Sequence, residues 1–174
     1  MLGTLLADID FSATYDFFGS DNLAKQVLAS NHAGWRAINR TALTAPRVVL
    51  ADDQAEMLQI IAFTVSDEFE VVGLAEDGSR AIELATQLSP DVLILDIAMP
   101  VVNGIEAACR LKELGSRTRV IFLTVHSDPE FVEAALSAEA LGYVLKAFLS
   151  TDLIPAIWAV TRGNIFISPS MRLH

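Results

Sequence analysis

Five short apolar runs, each followed by an amphipathic segment, constrain this chain more than any other feature. The runs cover residues 48–51, 70–75, 92–95, 119–123 and 142–145. Most are rich in Val, Ile and Leu and do not alternate with polar residues, as expected of strands covered on both faces. The segments between them carry a helical period. Met57, Ile60 and Ile61 share one face; so do Ile82, Ala85 and Leu88, before the Ser89-Pro90 stop. Ile105, Ala108 and Leu111 form a third stripe, ended by Gly115. Asp128-Pro129 reads as an N-cap followed by proline at the first helical position, opening a fourth helix with Phe131, Val132, Ala135 and Leu136. A last helix, from Thr151 to Arg162, presents Ile154, Ile157 and Trp158 before Gly163. Five βα units imply a doubly wound α/β fold: a five-stranded parallel sheet with helices on both faces. Right-handed crossovers leave few topologies.

The pattern begins near Pro46. Before it, residues 1–45 lack a strong period, and the expectation is a partly disordered N-terminal extension with one short helix around 21–31. Such an arm is either loose or docked on its own domain or on a partner. Residues 46–168 read as one domain and 169–174 as the start of a linker or tail.

Charge narrows the partners. The chain of 174 residues carries a net charge of −10. Residues 1–45 hold 4 acids and 3 bases, which leaves 18 acids against 9 bases in the remainder. The regular part is therefore a poor binder of nucleic-acid phosphates. The single cysteine, Cys109, excludes an internal disulfide and fits a reducing compartment. No apolar run approaches a membrane span, and MLGTLLADIDF has no basic segment of the kind that opens a signal peptide. A cytoplasmic location is expected.

Polar residues collect where the strands end. The first strand is followed by Asp52-Asp53, the third by Asp96, the fourth ends at Thr124 and the fifth at Lys146. In an open α/β sheet, ligands bind beyond the carboxyl ends of the strands. Gathered carboxylates repel unless a cation intervenes, and Mg²⁺ suits an all-oxygen cluster that also meets phosphate. Lys146 adds a positive charge and Thr124 a hydroxyl donor. Asp96 is then an acceptor carboxylate placed where a metal and a lysine neutralise a phosphoryl group. Taken singly, each residue has an ordinary explanation: a strand-end Asp is usually a turn former or helix cap. The combination is what points to chemistry.

The stretches VVLADDQ, DVLILDIAMPVVNGIEA, VIFLTVH and ALGYVLK resemble a response-regulator receiver domain. AVTRGNIFISP is similar to the end of receivers of the NarL/FixJ type, which precede a helix-turn-helix DNA-binding domain. The resemblance implies the CheY-like, flavodoxin-like strand order 2-1-3-4-5. It implies that Asp96 accepts a phosphoryl group from a histidine kinase. It implies that Asp52, Asp53, Asp96 and the backbone carbonyl of Ala98 hold Mg²⁺, and that Thr124 and Lys146 bind the phosphoryl oxygens. Tyr143 matches the aromatic switch position, and Ala98 and His126 match positions that tune phosphoryl lifetime; the alternative for His126 is a solvated loop histidine. The readout surface, including a possible homodimer contact, would run from Phe131 to Arg162. The output would be transcription through a DNA-binding domain outside this chain, or protein contact by a stand-alone receiver.

Three positions depart from the common receiver pattern. Ala147 follows Lys146 where many receivers have a cis proline, which puts that loop's geometry in question. Glu139 replaces a glycine that favours a left-handed helix end, so the fourth helix is expected to end differently. Pro155 is tolerable only in the first turn of the last helix. Enzyme readings fare worse than the receiver. A haloacid-dehalogenase-type aspartyl-phosphate hydrolase needs a second acid where Ala98 stands, and no G-x-S-x-G nucleophile elbow is present. A flavodoxin-type carrier needs a Ser/Thr/Gly phosphate loop where Asp52-Asp53-Gln54 stands.

Overall fold

The strand Val92–Leu95 buries all four of its residues, so its two faces both need cover. A computed structural model, which describes residues 45–172, shows how that cover is supplied. In chain order the elements are β1 (Arg47–Ala51), α1 (Ala55–Val65), β2 (Glu70–Ala75), α2 (Gly78–Leu88), β3 (Val92–Leu95), α3 (Gly104–Glu113), β4 (Arg119–Thr124), α4 (Pro129–Ser137), β5 (Gly142–Leu145), α5 (Leu149–Thr161) and β6 (Phe166–Ile167). All strand pairs are parallel, in the order β2-β1-β3-β4-β5-β6.

Successive side chains of a strand point to opposite faces, and here they feed two cores. Val49, Leu93, Leu95, Phe122 and Tyr143 face α2, α3 and α4, where Ala81, Leu84, Ala107, Leu111 and Ala135 meet them. Val48, Leu50, Val92, Ile94, Ile121 and Val144 face α1 and α5, where Leu58, Ile61, Leu153, Ile157 and Val160 close the second core. The order of the five expected strands holds. A sixth, two-residue strand extends the sheet: Phe166 and Ile167 pair with Gly142 and Tyr143. No helix among the described residues is long and apolar enough to cross a membrane. The helix expected around 21–31 lies outside the described residues.

Two local expectations are corrected. Glu139 does take the left-handed conformation, φ 61°, and α4 ends as it would with glycine: the amide of Ala140 donates to the Ala135 carbonyl at 3.1 Å. Ala138 and Ala140, buried on either side, fix the chain's path there, so packing overrides the side chain's own preference. Pro155 does not lie in a first turn, because α5 begins at Leu149 after a 3₁₀ turn over Lys146–Phe148. Pro155 is on the exposed face, opposite the buried Leu153, Ala156, Ile157 and Val160. That buried stripe keeps the helix continuous past the missing amide. The 3₁₀ turn also settles the loop at Ala147: no described peptide bond is cis.

Candidate functional site

Two acids sit one residue past their strands and are still held by the sheet. The amide of Asp52 donates to the Ala75 carbonyl at 3.1 Å, and that of Asp96 to the Ala51 carbonyl at 2.9 Å. The ladder thus continues just far enough to aim both carboxylates off the carboxyl edge. Both are buried, at 1% and 3% exposure. Backbone amides satisfy one oxygen of each: Gln54 donates to Asp52 Oδ1 at 3.0 Å, and Ile97 donates to Asp96 Oδ1 at 2.7 Å.

Lys146 reaches in from the end of β5 and touches both. Its Nζ lies 2.6 Å from Asp52 Oδ2 and 2.9 Å from Asp96 Oδ2, with the side chain only 8% exposed. The contact with Asp96 is a directed hydrogen bond. The contact with Asp52 is the shorter of the two, an ammonium–carboxylate pair that occupies Asp52 Oδ2. Burial raises the Asp52 carboxyl above its usual range, against the lowering effect of Lys146. Burial also pulls the Lys146 ammonium down, but its two carboxylate partners outweigh that and hold it above the ordinary lysine value. The ammonium therefore stays charged.

Asp53, exposed, completes an acidic cluster: one oxygen each of Asp52, Asp53 and Asp96 lie within 4.8 Å of one another. Three carboxylates against one ammonium leave a formal charge of −2. An all-oxygen donor set and a surplus of two negative charges fit a hard divalent cation. Ala98 is exposed in the β3–α3 loop, two residues past Asp96. That loop is backed by α3, whose first residue is Gly104. A Cβ at Gly104 would stand 2.1 Å from the Asp96 carbonyl oxygen, so no larger residue fits without moving the loop.

The remaining expected residues gather at the end of β4. Thr124 is fully buried, opposite Leu145 in register, and its hydroxyl accepts from the His126 amide at 3.3 Å. Tyr143 is 1% exposed with its ring inside the sheet's core. Its hydroxyl donates to the His126 carbonyl at 2.9 Å. Burial, and then the charges of Asp128 and Asp96, push that phenol up to about 12, so it remains a donor. The His126 ring stacks on Phe131 of α4, centroids 4.2 Å apart and planes 18° apart. It is therefore not a freely solvated loop side chain. Sequence reasoning passed over one polar residue here. Ser168 is the fourth buried polar side chain among the described residues, after Asp52, Asp96 and Thr124. Its only sequence signal is a serine between two strand-prone residues and Pro169.

The family model for the response regulator receiver domain matches residues 48–158. The chain is 35% identical over 127 residues to the transcriptional regulatory protein DegU of Brevibacillus brevis, covering 72% of this chain and 54% of that one. It is 35% identical over 128 residues to the oxygen regulatory protein NreC of Staphylococcus carnosus, covering 72% and 59%. The chain thus spans somewhat over half the length of these curated relatives. Among solved structures it resembles the signal receiver domain of NarL from Mycobacterium tuberculosis, with TM-score 0.68 and 31% identity over 70% of this chain and 100% of that one. It also resembles the receiver domain of RcsB from Salmonella enterica serovar Typhimurium, solved with the phosphomimetic BeF₃⁻, with TM-score 0.68 and 30% identity over 74% and 97%. With the sheet order, the acid cluster and the strand-end lysine all in place, these matches establish that the chain belongs to the response-regulator receiver domain family.

Proposed function

We propose that this receiver is a phosphorylation switch in which Asp96 takes a phosphoryl group from the phosphohistidine of a histidine kinase. The observation that carries the reading is Lys146 held between two buried carboxylates, in a cluster that keeps a formal charge of −2. A carboxylate oxygen of Asp96 forms the new P–O bond as the bond from phosphorus to the kinase's imidazole nitrogen breaks. Asp52, Asp53, Asp96 and the Ala98 carbonyl would hold Mg²⁺. When bound, the metal neutralises charge on the transferring phosphoryl oxygens. Lys146, already charged, meets those oxygens from the other side, and the buried Thr124 hydroxyl donates to one of them after leaving the His126 amide.

That last exchange is the switch. The His126 backbone is bonded to Thr124 through its amide and to Tyr143 through its carbonyl, while its ring lies on α4. Moving Thr124 toward a phosphoryl group alters the first bond and so biases the β4–α4 loop and the surface from Phe131 to Arg162. His126 would tune phosphoryl lifetime through the same loop. The relatives that this chain half covers are named as transcriptional regulators, which supports a transcription output. A DNA-binding module outside this chain and a phosphorylation-strengthened homodimer on that surface would deliver it.

Intact-mass analysis after incubation with acetyl phosphate tests the reading. The expected result is a phosphoryl adduct on wild type that requires Mg²⁺ and is absent from Asp96→Asn. An adduct that survives Asp96→Asn, or none on wild type with either acetyl phosphate or a kinase, sinks it.

A further inference from the structure

Among the described residues, three of the four buried polar side chains belong to the acidic site and its threonine; the fourth, Ser168, is the first residue past β6. A buried hydroxyl must both donate and accept, and Ser168 does so between two elements. It donates to Asp152 Oδ2 of α5 at 2.7 Å and accepts from the amide of Leu145 at 3.2 Å. Its own amide donates to the Tyr143 carbonyl at 2.9 Å. The Thr151 hydroxyl lies within hydrogen-bonding distance of the other Asp152 oxygen, at 2.9 Å, and of the Phe148 carbonyl, at 3.1 Å.

The need for this clasp follows from strand lengths. β6 ends at Ile167, paired with Tyr143, so the amide of Leu145 has no ladder partner on that side. An unpaired buried amide costs about 1–3 kcal/mol. The Ser168 hydroxyl supplies the missing acceptor. Leu145 is the last residue of β5, and the next residue is Lys146, whose ammonium touches Asp52 and Asp96. The backbone from which the lysine springs is thus pinned by a serine that touches neither carboxylate.

We infer that Ser168 and Asp152 are positioning residues for Lys146, a clasp through which docking of residues 164–168 on the sheet edge sets the competence of the phosphoacceptor site. The inference rests on the phosphorylation reading above. It makes the segment after α5 part of the site's machinery, although its hydrogen bonds go to β5 and α5 rather than to the acid cluster. Release of the clasp frees the carboxyl end of β5, and the lysine loses the fixed approach that places it between two acids.

The test measures the initial rate of Mg²⁺-dependent phosphorylation by acetyl phosphate in the full chain, with thermal unfolding recorded for each variant. Ser168→Ala and Asp152→Ala should each slow the reaction about tenfold, the low end of what outer partners of a charged site contribute. Asp152→Asn keeps an acceptor for the serine hydroxyl and should recover most of the rate lost in Asp152→Ala. In a Lys146→Ala background, Ser168→Ala should produce no further loss, because its effect passes through the lysine. A wild-type rate in both Ser168→Ala and Asp152→Ala overturns the inference while leaving the receiver chemistry standing. So does a loss from Ser168→Ala that is equally large without Lys146, since that marks general destabilisation. Absence of any adduct on wild type overturns the phosphorylation reading and the positioning role with it.

Discussion

Helices α3 and α4 follow adjacent strands and lie on the same face of the sheet, yet they are anchored very differently. α3 has a side-chain cap, Asn103 Oδ1 accepting from the Glu106 amide at 2.9 Å. It also has an internal Glu106–Arg110 ion pair and four buried residues, Gly104, Ala107, Ala108 and Leu111. α4 has a capping residue, Asp128, whose side chain makes no cap bond, and only Ala135 is buried within it. It ends at Glu139 in a left-handed conformation that favours glycine. The helix that backs the acceptor loop is built to stay, and the helix on the proposed readout surface is built with little holding it. A switch needs this division, because a segment can be re-biased by one phosphoryl group only if its own stability is low.

The largest effect should come from breaking the firm side. Gly104→Ala would force a Cβ to 2.1 Å from the Asp96 carbonyl oxygen, and that obstacle is backbone. We expect a loss of about 3 kcal/mol, the upper range for overpacking, read from the urea midpoint. Phosphorylation of Asp96 should fall with it. Next, the two capping positions should separate: Asn103→Ala costs about 1 kcal/mol, whereas Asp128→Ala changes stability by less than about 0.5 kcal/mol. Equal losses at the two positions would erase the contrast drawn between the helices. The smallest effect lies at the end of α4. Glu139→Gly relieves a left-handed residue but gives up the exposed ion pair with Lys112, 2.8 Å in length, so a net gain of about 0.5 kcal/mol is expected. Amide exchange in the last turn of α4 should slow in that variant; faster exchange there would mean that the ion pair, not the backbone, governs the helix end.

Much of this is legible in the sequence. The five long strands show as unbroken Val/Ile/Leu runs because both their faces are covered, and the acids, Thr124 and Lys146 show because each closes one of those runs. What was not legible has a common cause. At Glu139 and Pro155 local preference points one way and packing the other: buried Ala138 and Ala140 hold the first, and the buried face of α5 holds the second. β6 has two residues, too few to carry a period, and Ser168 earns its role only from how far that strand reaches. The turning of Tyr143 toward the His126 carbonyl likewise depends on a rotamer that no spacing encodes.

The lysine bridge has a consequence for how the chain is made. Lys146 lies 50 residues after Asp96. During synthesis, β1, β2 and β3 therefore emerge with two carboxylates that are destined for burial and have no ammonium to meet them. Burying either charge without that ammonium would cost several kcal/mol, so a chain that lacks β5 leaves the two acids hydrated or protonated. Burial of the two acids and delivery of Lys146 by the fifth strand are therefore coupled: the carboxyl edge of the sheet is electrostatically complete only when β5 is in place.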